Sequence, residues 1–523
     1  MTAQGPPGDT DPGGTALVPL STGRGRWILA ATVLASALAQ IEATVVNVAL
    51  PAIGRDLGAG VAGLQWVLNG YLLTLAALIL LGGSLGDRSG RRRILVVGVV
   101  LFSAASAVCA MAPTIETLIA ARVLQGVGGA LLTPGSLAML EAVLRPEDRA
   151  RAIGAWSALG GVAAAVGPLV GGWLVELSWR WVFLLPVPLG VAVVVVALAK
   201  VPETRDPTAT GRVDVAGAAL ATAALGGMTF ALVQAETGPV AAVAAAAVIG
   251  VAAAVAFVVV ERRRSNPMLP PDIFASRQFT AANAVTFVVY AALGGVFFLL
   301  VVFLQTALGY TPLQSGAASL PITAVMLTLS SRAGALAQRV GPRLPLTVGP
   351  VLIAAGMLLM LRIAPGSGYV PDVLPAVVVF GLGLAVTVAP VTATVLAAAD
   401  DRHAGVASGV NNAVARTAQL VAVAVLPLAV GLTGEQYTDP VAFTDAFHRA
   451  MVLTAITALG GALIAAVFIR SDVLHEAAAP QPQPAGDDRD RPEAARFRSD
   501  ETVRHHLHCG VSGPPARPST AGR

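Results

Sequence analysis

Apolar runs of about twenty residues alternate with short polar breaks along most of this chain, and each is long enough to cross a hydrocarbon core roughly 30 Å thick as a helix. The pattern predicts fourteen such helices, near 27–50, 64–86, 94–112, 117–141, 152–175, 181–199, 213–233, 239–260, 280–305, 316–337, 344–363, 372–396, 404–430 and 449–469. Two segments fall outside it. Residues 1–23 are rich in Gly, Pro and Thr and lack the cationic-then-apolar layout of a cleaved signal peptide. Residues 471–523 are polar and Pro-rich, and both ends read as disordered cytoplasmic tails. The fold class is therefore all-α membrane protein.

The most informative break lies between the second and third runs: Gly83-Ser84-Leu85-Gly86-Asp87-Arg88-Ser89-Gly90-Arg91-Arg92-Arg93-Ile94-Leu95. A chain that only needed to turn would use a short neutral loop. Here an acid ends one helix and several cations precede the next, so ion pairs can form and break as helices rock. A weaker copy, Gly334-Ala335-Leu336-Ala337-Gln338-Arg339-Val340-Gly341-Pro342-Arg343, occurs 251 residues later, again after the second run of a half. That repeat predicts two parallel halves related by an axis along the membrane normal. Gln338 replaces Asp87, so the second hairpin keeps the shape and loses the acid.

Charge placement orients the chain. With the N-terminus inside, twenty Lys and Arg residues fall in inner loops and flanks, against Arg55, Arg180, Arg362 and Arg449 outside. Both termini are then cytoplasmic. The composition agrees: 55% hydrophobic, 12% charged, mean hydropathy +0.74. The net charge of +4 reflects inner-loop arginines, and with no soluble basic domain it does not point to nucleic acid. Of the two cysteines, Cys109 lies in a span and Cys509 in the tail, so no disulfide is expected. His505, His506, His508 and Cys509 lack a second cluster that would make a metal site, and no catalytic constellation or cofactor motif is present.

Polar residues inside the spans carry the chemistry, because an arginine or a carboxylate there costs about 2.5–3.5 kcal/mol by insertion scales. Arg122 lies in the fourth span about 8 Å from its outer end, close enough to snorkel or to act inside the bundle. Glu42 lies in the first span at about 12 Å, so the two are natural partners. A carboxylate set between burial and a nearby arginine suits reversible proton binding; the alternative is a purely structural partner for Arg122. Gln40, Thr44 and Asn47 form a stripe on the opposite face of that helix. Arg416 falls about 18 Å from the inner end of its span, bonded to Asn412 or helix-end carbonyls, or else free for substrate. Gln40, Asn47, Tyr71, Gln125, Asn412 and Arg416 are the candidate substrate pathway.

The order Gly-x-Leu-x-Asp-Arg-x-Gly-Arg-Arg-x-x-Leu at Gly83–Leu95 resembles the loop signature of the major facilitator superfamily of secondary transporters. Arg122-Val123-Leu124-Gln125-Gly126-Val127-Gly128 resembles its helix-4 signature, which is implicated in proton transfer. Glu42-Ala43-Thr44-Val45-Val46-Asn47-Val48-Ala49-Leu50-Pro51 resembles the first-helix pattern of fourteen-span drug:proton antiporters, with Glu42 in place of their aspartate. Gly167-Pro168-Leu169-Val170-Gly171-Gly172 resembles the antiporter motif of exporters, with Ala163 at the position of its first glycine. Trp179-Arg180-Trp181-Val182-Phe183 opens the sixth span, and Pro186 stands where that family usually has asparagine.

The resemblance implies a major facilitator fold with two six-helix bundles, 24–200 and 266–470, separated by two extra helices within 201–265 that face lipid and do little chemistry. It implies a monomer in the cell membrane, exporting amphipathic drugs, antibiotics or secondary metabolites in exchange for protons. Glu42 and Arg122 would couple to protons; Gly83, Asp87, Arg88, Gly90 and Arg91 would form the gating loop. Proton-coupled uptake of a nutrient is the rival that shares this fold, and the helix-5 Gly-Pro pattern argues against it.

Overall fold

The computed structural model describes residues 17–206, 209, 213–264, 267–399, 404–432 and 439–474. Within them, fourteen helices are long and apolar enough to cross a membrane. The first six are α1 Gly23–Leu57, α2 Val61–Ser89, α3 Arg91–Ala110, α4 Ile115–Val143, α5 Pro146–Leu177 and α6 Arg180–Lys200. Two more follow, α7 Val215–Val233 and α8 Val240–Arg263. The last six are α9 Arg277–Thr306, α10 Pro312–Val340, α11 Arg343–Arg362, α12 Tyr369–Ala397, α13 Ala404–Ala429 and α14 Pro440–Phe468.

Local chemistry sets the ends. Thr22 accepts from the Gly25 amide to start α1, Ser276 from Phe279 to start α9, and Asp439 from Val441 to start α14. Gly58 closes α1 in the left-handed conformation at φ 62°. The helices run past the predicted limits where a polar or proline residue suggested a stop. Pro51 lies inside α1, which continues to Leu57, since membrane helices tolerate proline where neighbours satisfy the freed groups. Arg449, counted as an outer-loop charge, lies well inside α14, and the adjacent His448 ring nitrogen is 2.8 Å from the Ile363 carbonyl.

Each helix of the first six packs as its counterpart eight places later. Pairs α2–α4, α3–α4 and α1–α5 correspond to α10–α12, α11–α12 and α9–α13. The two halves meet through α2–α13 and α5–α10, which exchange under the same relation. Glycines allow the closest approaches: a methyl at Gly98 would sit 2.8 Å from the Leu132 amide nitrogen, and one at Gly356 2.6 Å from that of Phe380. The hairpin copies also match in backbone. Gly90 ends α2 at φ 111°, and Gly341, 251 residues on, ends α10 at φ 82°.

Two boundaries need correction. Residues 17–22 are not a loose tail. Leu17, Val18 and Leu20 are buried, Val18 pairs with Leu144 in a parallel bridge, and the Leu20 amide donates to Asp148 at 2.8 Å. At the other end Val473 and Leu474 are buried, and Ser471 covers Gly341. The short apolar patches within each polar segment give the reason. Residues 1–16 and 475–523, with the His505–Cys509 group, lie outside the described residues.

The extra helices also do more than face lipid. The second, α8, is almost bare on its outer sides, but α7 packs on α2 and α13, with Trp66 against Phe230 at 6.3 Å. At their ends Asp214 caps α7 and pairs with Arg264 at 2.6 Å, while Glu261 accepts from the Leu269 amide at 2.9 Å.

Candidate functional site

Glu42 on α1 and Arg122 on α4 meet inside the first bundle, Nη1 to Oε1 at 2.7 Å, with each side chain only 1% exposed. Arg122 therefore does not snorkel. Its Nε donates to the Val67 carbonyl at 2.9 Å, and Nη1 also donates to Gln125 Oε1 at 2.5 Å. Gln125 passes the network to α3 through Ser106 Oγ at 2.5 Å. The guanidinium lies 4.5 Å above the Tyr71 ring centroid and 5.8 Å from that of Phe183. An aromatic wall and four helices thus hold one buried charge pair. The pairing survives an error in depth: α1 runs on to Leu57, which puts Glu42 about 22 Å from its end, while Arg122 is about 10 Å into α4.

A second polar group bridges the halves. Arg416 on α13 donates to Gln40 on α1 and to Gln419 one turn on, each at 3.2 Å. Neither expected partner holds it: Asn412 is exposed and donates to its own helix at Ser408. Asn411 instead ties α13 to α9 through Asn283 and Thr286. Of the six candidate pathway residues, Gln40 and Arg416 meet across the two halves, and Asn412 is exposed. Asn47, Tyr71 and Gln125 are buried in the first bundle, and Asn47 donates to the Ala43 carbonyl. Thr44, one turn from Gln40, donates to the Ile41 carbonyl at 2.9 Å and packs against Gly167 on α5.

The glycine-proline segment of α5 lies between the charged helix and the other half. A methyl at Gly171 would lie 2.9 Å from Val45 on α1, and one at Gly172 2.6 Å from the Pro312 carbonyl on α10. Gly316 of α10 in turn abuts the Pro168 carbonyl, so both surfaces need bare backbone. With the bonds from Gln65 to Val423 (2.7 Å) and Gln305 to Val48 (3.0 Å), these contacts close the bundles at one end. Among the glycines nearer the arginine-rich ends, Gly161 approaches Leu327 and Gly409 approaches Leu80, whereas Gly154 and Gly405 meet nothing within 4 Å. Gly154 and Gly405, at the arginine-rich ends of α5 and α13, thus face open space, termed the cleft.

On that face Asp87 pairs with Arg91 at 2.8 Å, within its own hairpin. Gly83 stacks on Pro134 of α4. The segment after α6 straps the hairpin: Arg91 N donates to Thr204 O, Asp206 N to Asp87 O, and Glu203 accepts from the amides of Arg92 and Arg93. Arg88 ends α2. Glu203 and Ser106, which were not singled out from the sequence, are visible only through these long-range contacts; nothing local marks them.

The model of the Major Facilitator Superfamily matches residues 32–423. A probable actinorhodin transporter from Streptomyces coelicolor is 36% identical over 82% of this chain and 77% of its own length. A puromycin resistance protein from Streptomyces alboniger is 34% identical over 84% and 90%, and a tetracenomycin C resistance and export protein from Streptomyces glaucescens 34% over 82% and 81%. Among solved structures, a bacterial homologue of the human lysosomal transporter Spinster, inward-facing and unoccupied, superposes with a TM-score of 0.61 at 17% identity, covering 88% of this chain and 100% of that one. A peptide transporter with bound sulfate gives 0.62 at 16% identity, covering 86% and 98%.

Proposed function

Because the chain belongs to the major facilitator superfamily, we propose that it is a proton-coupled antiporter exporting amphipathic drugs, antibiotics or secondary metabolites across the cytoplasmic membrane. The observation that carries this reading is the sealed Glu42–Arg122 pair on a helix that also presents Gln40 to the cleft. A carboxylate that gains a proton no longer needs its arginine, so protonation frees α1 to move relative to α4. The same helix rests on the bare face of α5, whose other side rests on α10, so a shift of α1 reaches the opposite half. The resistance and export proteins it resembles support the outward direction.

The arginine-rich face is the cytoplasmic one, with both termini inside, by the charge bias of the loops. The cleft then faces the cytoplasm with Glu42 paired, the state that loads substrate. Protons from outside bind Glu42 in the outward-facing state and leave inside. Each proton moved brings about 2.3 kcal/mol per 100 mV and about 1.4 kcal/mol per pH unit. In everted vesicles, a panel of amphipathic dyes should accumulate when the lumen is acid, with alkalinisation of the lumen that depends on dye. Accumulation in right-side-out vesicles under an inward proton gradient would instead identify an importer.

Asp87→Asn tests the gating loop. The hairpin is far from the cleft's polar residues and strapped by Glu203 and Thr204, so losing one i,i+4 pair leaves substrate affinity within about twofold. Turnover should fall by about tenfold, roughly 1.4 kcal/mol in the barrier to interconversion. Equilibrium dye binding and initial efflux rate on the same variant check this. A large affinity loss at normal maximal rate would place Asp87 in the binding site.

A further inference from the structure

We infer that the cleft recognises its substrate through an acidic group and that Arg416 is the cation that receives it. This rests on the exporter reading and narrows its substrate class to amphipathic organic anions, molecules with a carboxylate or ionised hydroxyl. Arg416 lies twelve residues into α13, about 18 Å from the end at the cleft's mouth. A guanidinium at that depth calls for a counter-charge. Arg122 has one in Glu42. Arg416 has two neutral amide oxygens, each at 3.2 Å and one from each half, and among the described residues no carboxylate lies within ion-pair distance. Glu42, two residues beyond Gln40 on α1, is 1% exposed and held by Arg122.

The guanidinium is also reachable. Arg416 is half-buried where its guanidinium meets Gln40 of the other half, and Asn412, one turn nearer the arginine-rich end, is exposed. Its two contacts leave Nε and one hydrogen on each Nη free to donate, the fork that fits a carboxylate or enolate. An anion seated there shares the guanidinium with Gln40, and Gln40 lies on the same helix as Glu42. Substrate and proton thus act on one helix from opposite sides.

The test uses two xanthene dyes of similar size, anionic fluorescein and cationic rhodamine 6G, in everted vesicles with an acid lumen. Wild-type vesicles should take up fluorescein, and Arg416→Gln should lower the fluorescein-to-rhodamine uptake ratio at least tenfold. Arg416→Lys should lower it less. Fluorescein anisotropy with purified protein should show affinity at least tenfold weaker for the Gln variant; if that variant does not extract as a single species, the Lys variant and its intermediate affinity decide. Transport of rhodamine alone, or of neither dye, overturns the proposal, as does an equal fall for both dyes, which would make Arg416 part of the coupling machinery. The exporter reading is judged separately, by the dye-panel proton assay, and survives any of these results.

Discussion

Glu42→Gln abolishes export driven by a pH gradient while leaving the protein in the membrane. The substitution keeps the length and an oxygen that Arg122 can still reach at the position now 2.7 Å away, and removes only the titration and the charge. Without a group that gains and loses a proton, a pH gradient has nothing to act on at this site. Arg122 keeps the Val67 carbonyl and Gln125 but loses its counter-ion, and an uncompensated buried charge costs about 3–5 kcal/mol. Gradient-driven dye uptake should fall by at least about a hundredfold, some 2.7 kcal/mol in the barrier. Glu42→Asp should keep pH-dependent transport at a reduced rate, because the acid remains and the arm is one methylene shorter. Uptake in everted vesicles across lumen pH, alongside monodispersity of the extracted protein, checks both. Undiminished pH-dependent uptake by the Gln variant would sink the coupling role.

Much of this arrangement was legible in the sequence, for physical reasons that also mark where legibility stops. Spans are read from length and apolarity alone, so all fourteen appear. Charges inside spans need partners, and two opposite charges on helices close in space leave few choices, so Glu42 and Arg122 could be matched before any coordinates. Gln125 reads as part of the substrate path because an amide near an arginine fits either role; its bonds to Arg122 and Ser106 place it in the buried network around the charge pair. The partner of Arg416 was out of reach, since Gln40 lies 376 positions away and neutral amides announce no pairing. Helix ends were read too short where Pro51 and Arg449 looked like boundaries, as local rules do not see the neighbours that satisfy such residues.

The glycines show the same divide. Gly167, Pro168, Gly171 and Gly172 were recognisable as a pattern, but not what each approaches. Gly167 and Gly171 serve α1, whereas Gly172 serves α10. One helix therefore carries two bare surfaces on different sides, one toward the proton helix and one toward the other bundle. Under the proposed antiport, that division would let α5 carry a shift of α1 to the other bundle, and bulk on either side should then impede transport.

Arg122→Ala leaves transport at background, and Arg122→Lys restores less than about a tenth of wild-type rate. The guanidinium serves three acceptors at once: Glu42 and Gln125 through Nη1 and the Val67 carbonyl through Nε, while its plane lies over Tyr71. One ammonium on a flexible stem cannot serve that set or stack in the same way. In the alanine variant Glu42 is stranded in a dry site and stays neutral, so it no longer cycles with the gradient. A purely structural ion pair would also fail in these single variants, so the double variant Glu42→Gln with Arg122→Gln separates the two roles. Removing both charges lifts the penalty of an unpaired one, and thermal stability in detergent should recover toward wild type. Gradient-driven uptake should not. Recovery of uptake together with stability would show that the pair only holds α1 against α4, and proton coupling would have to be sought elsewhere in the chain.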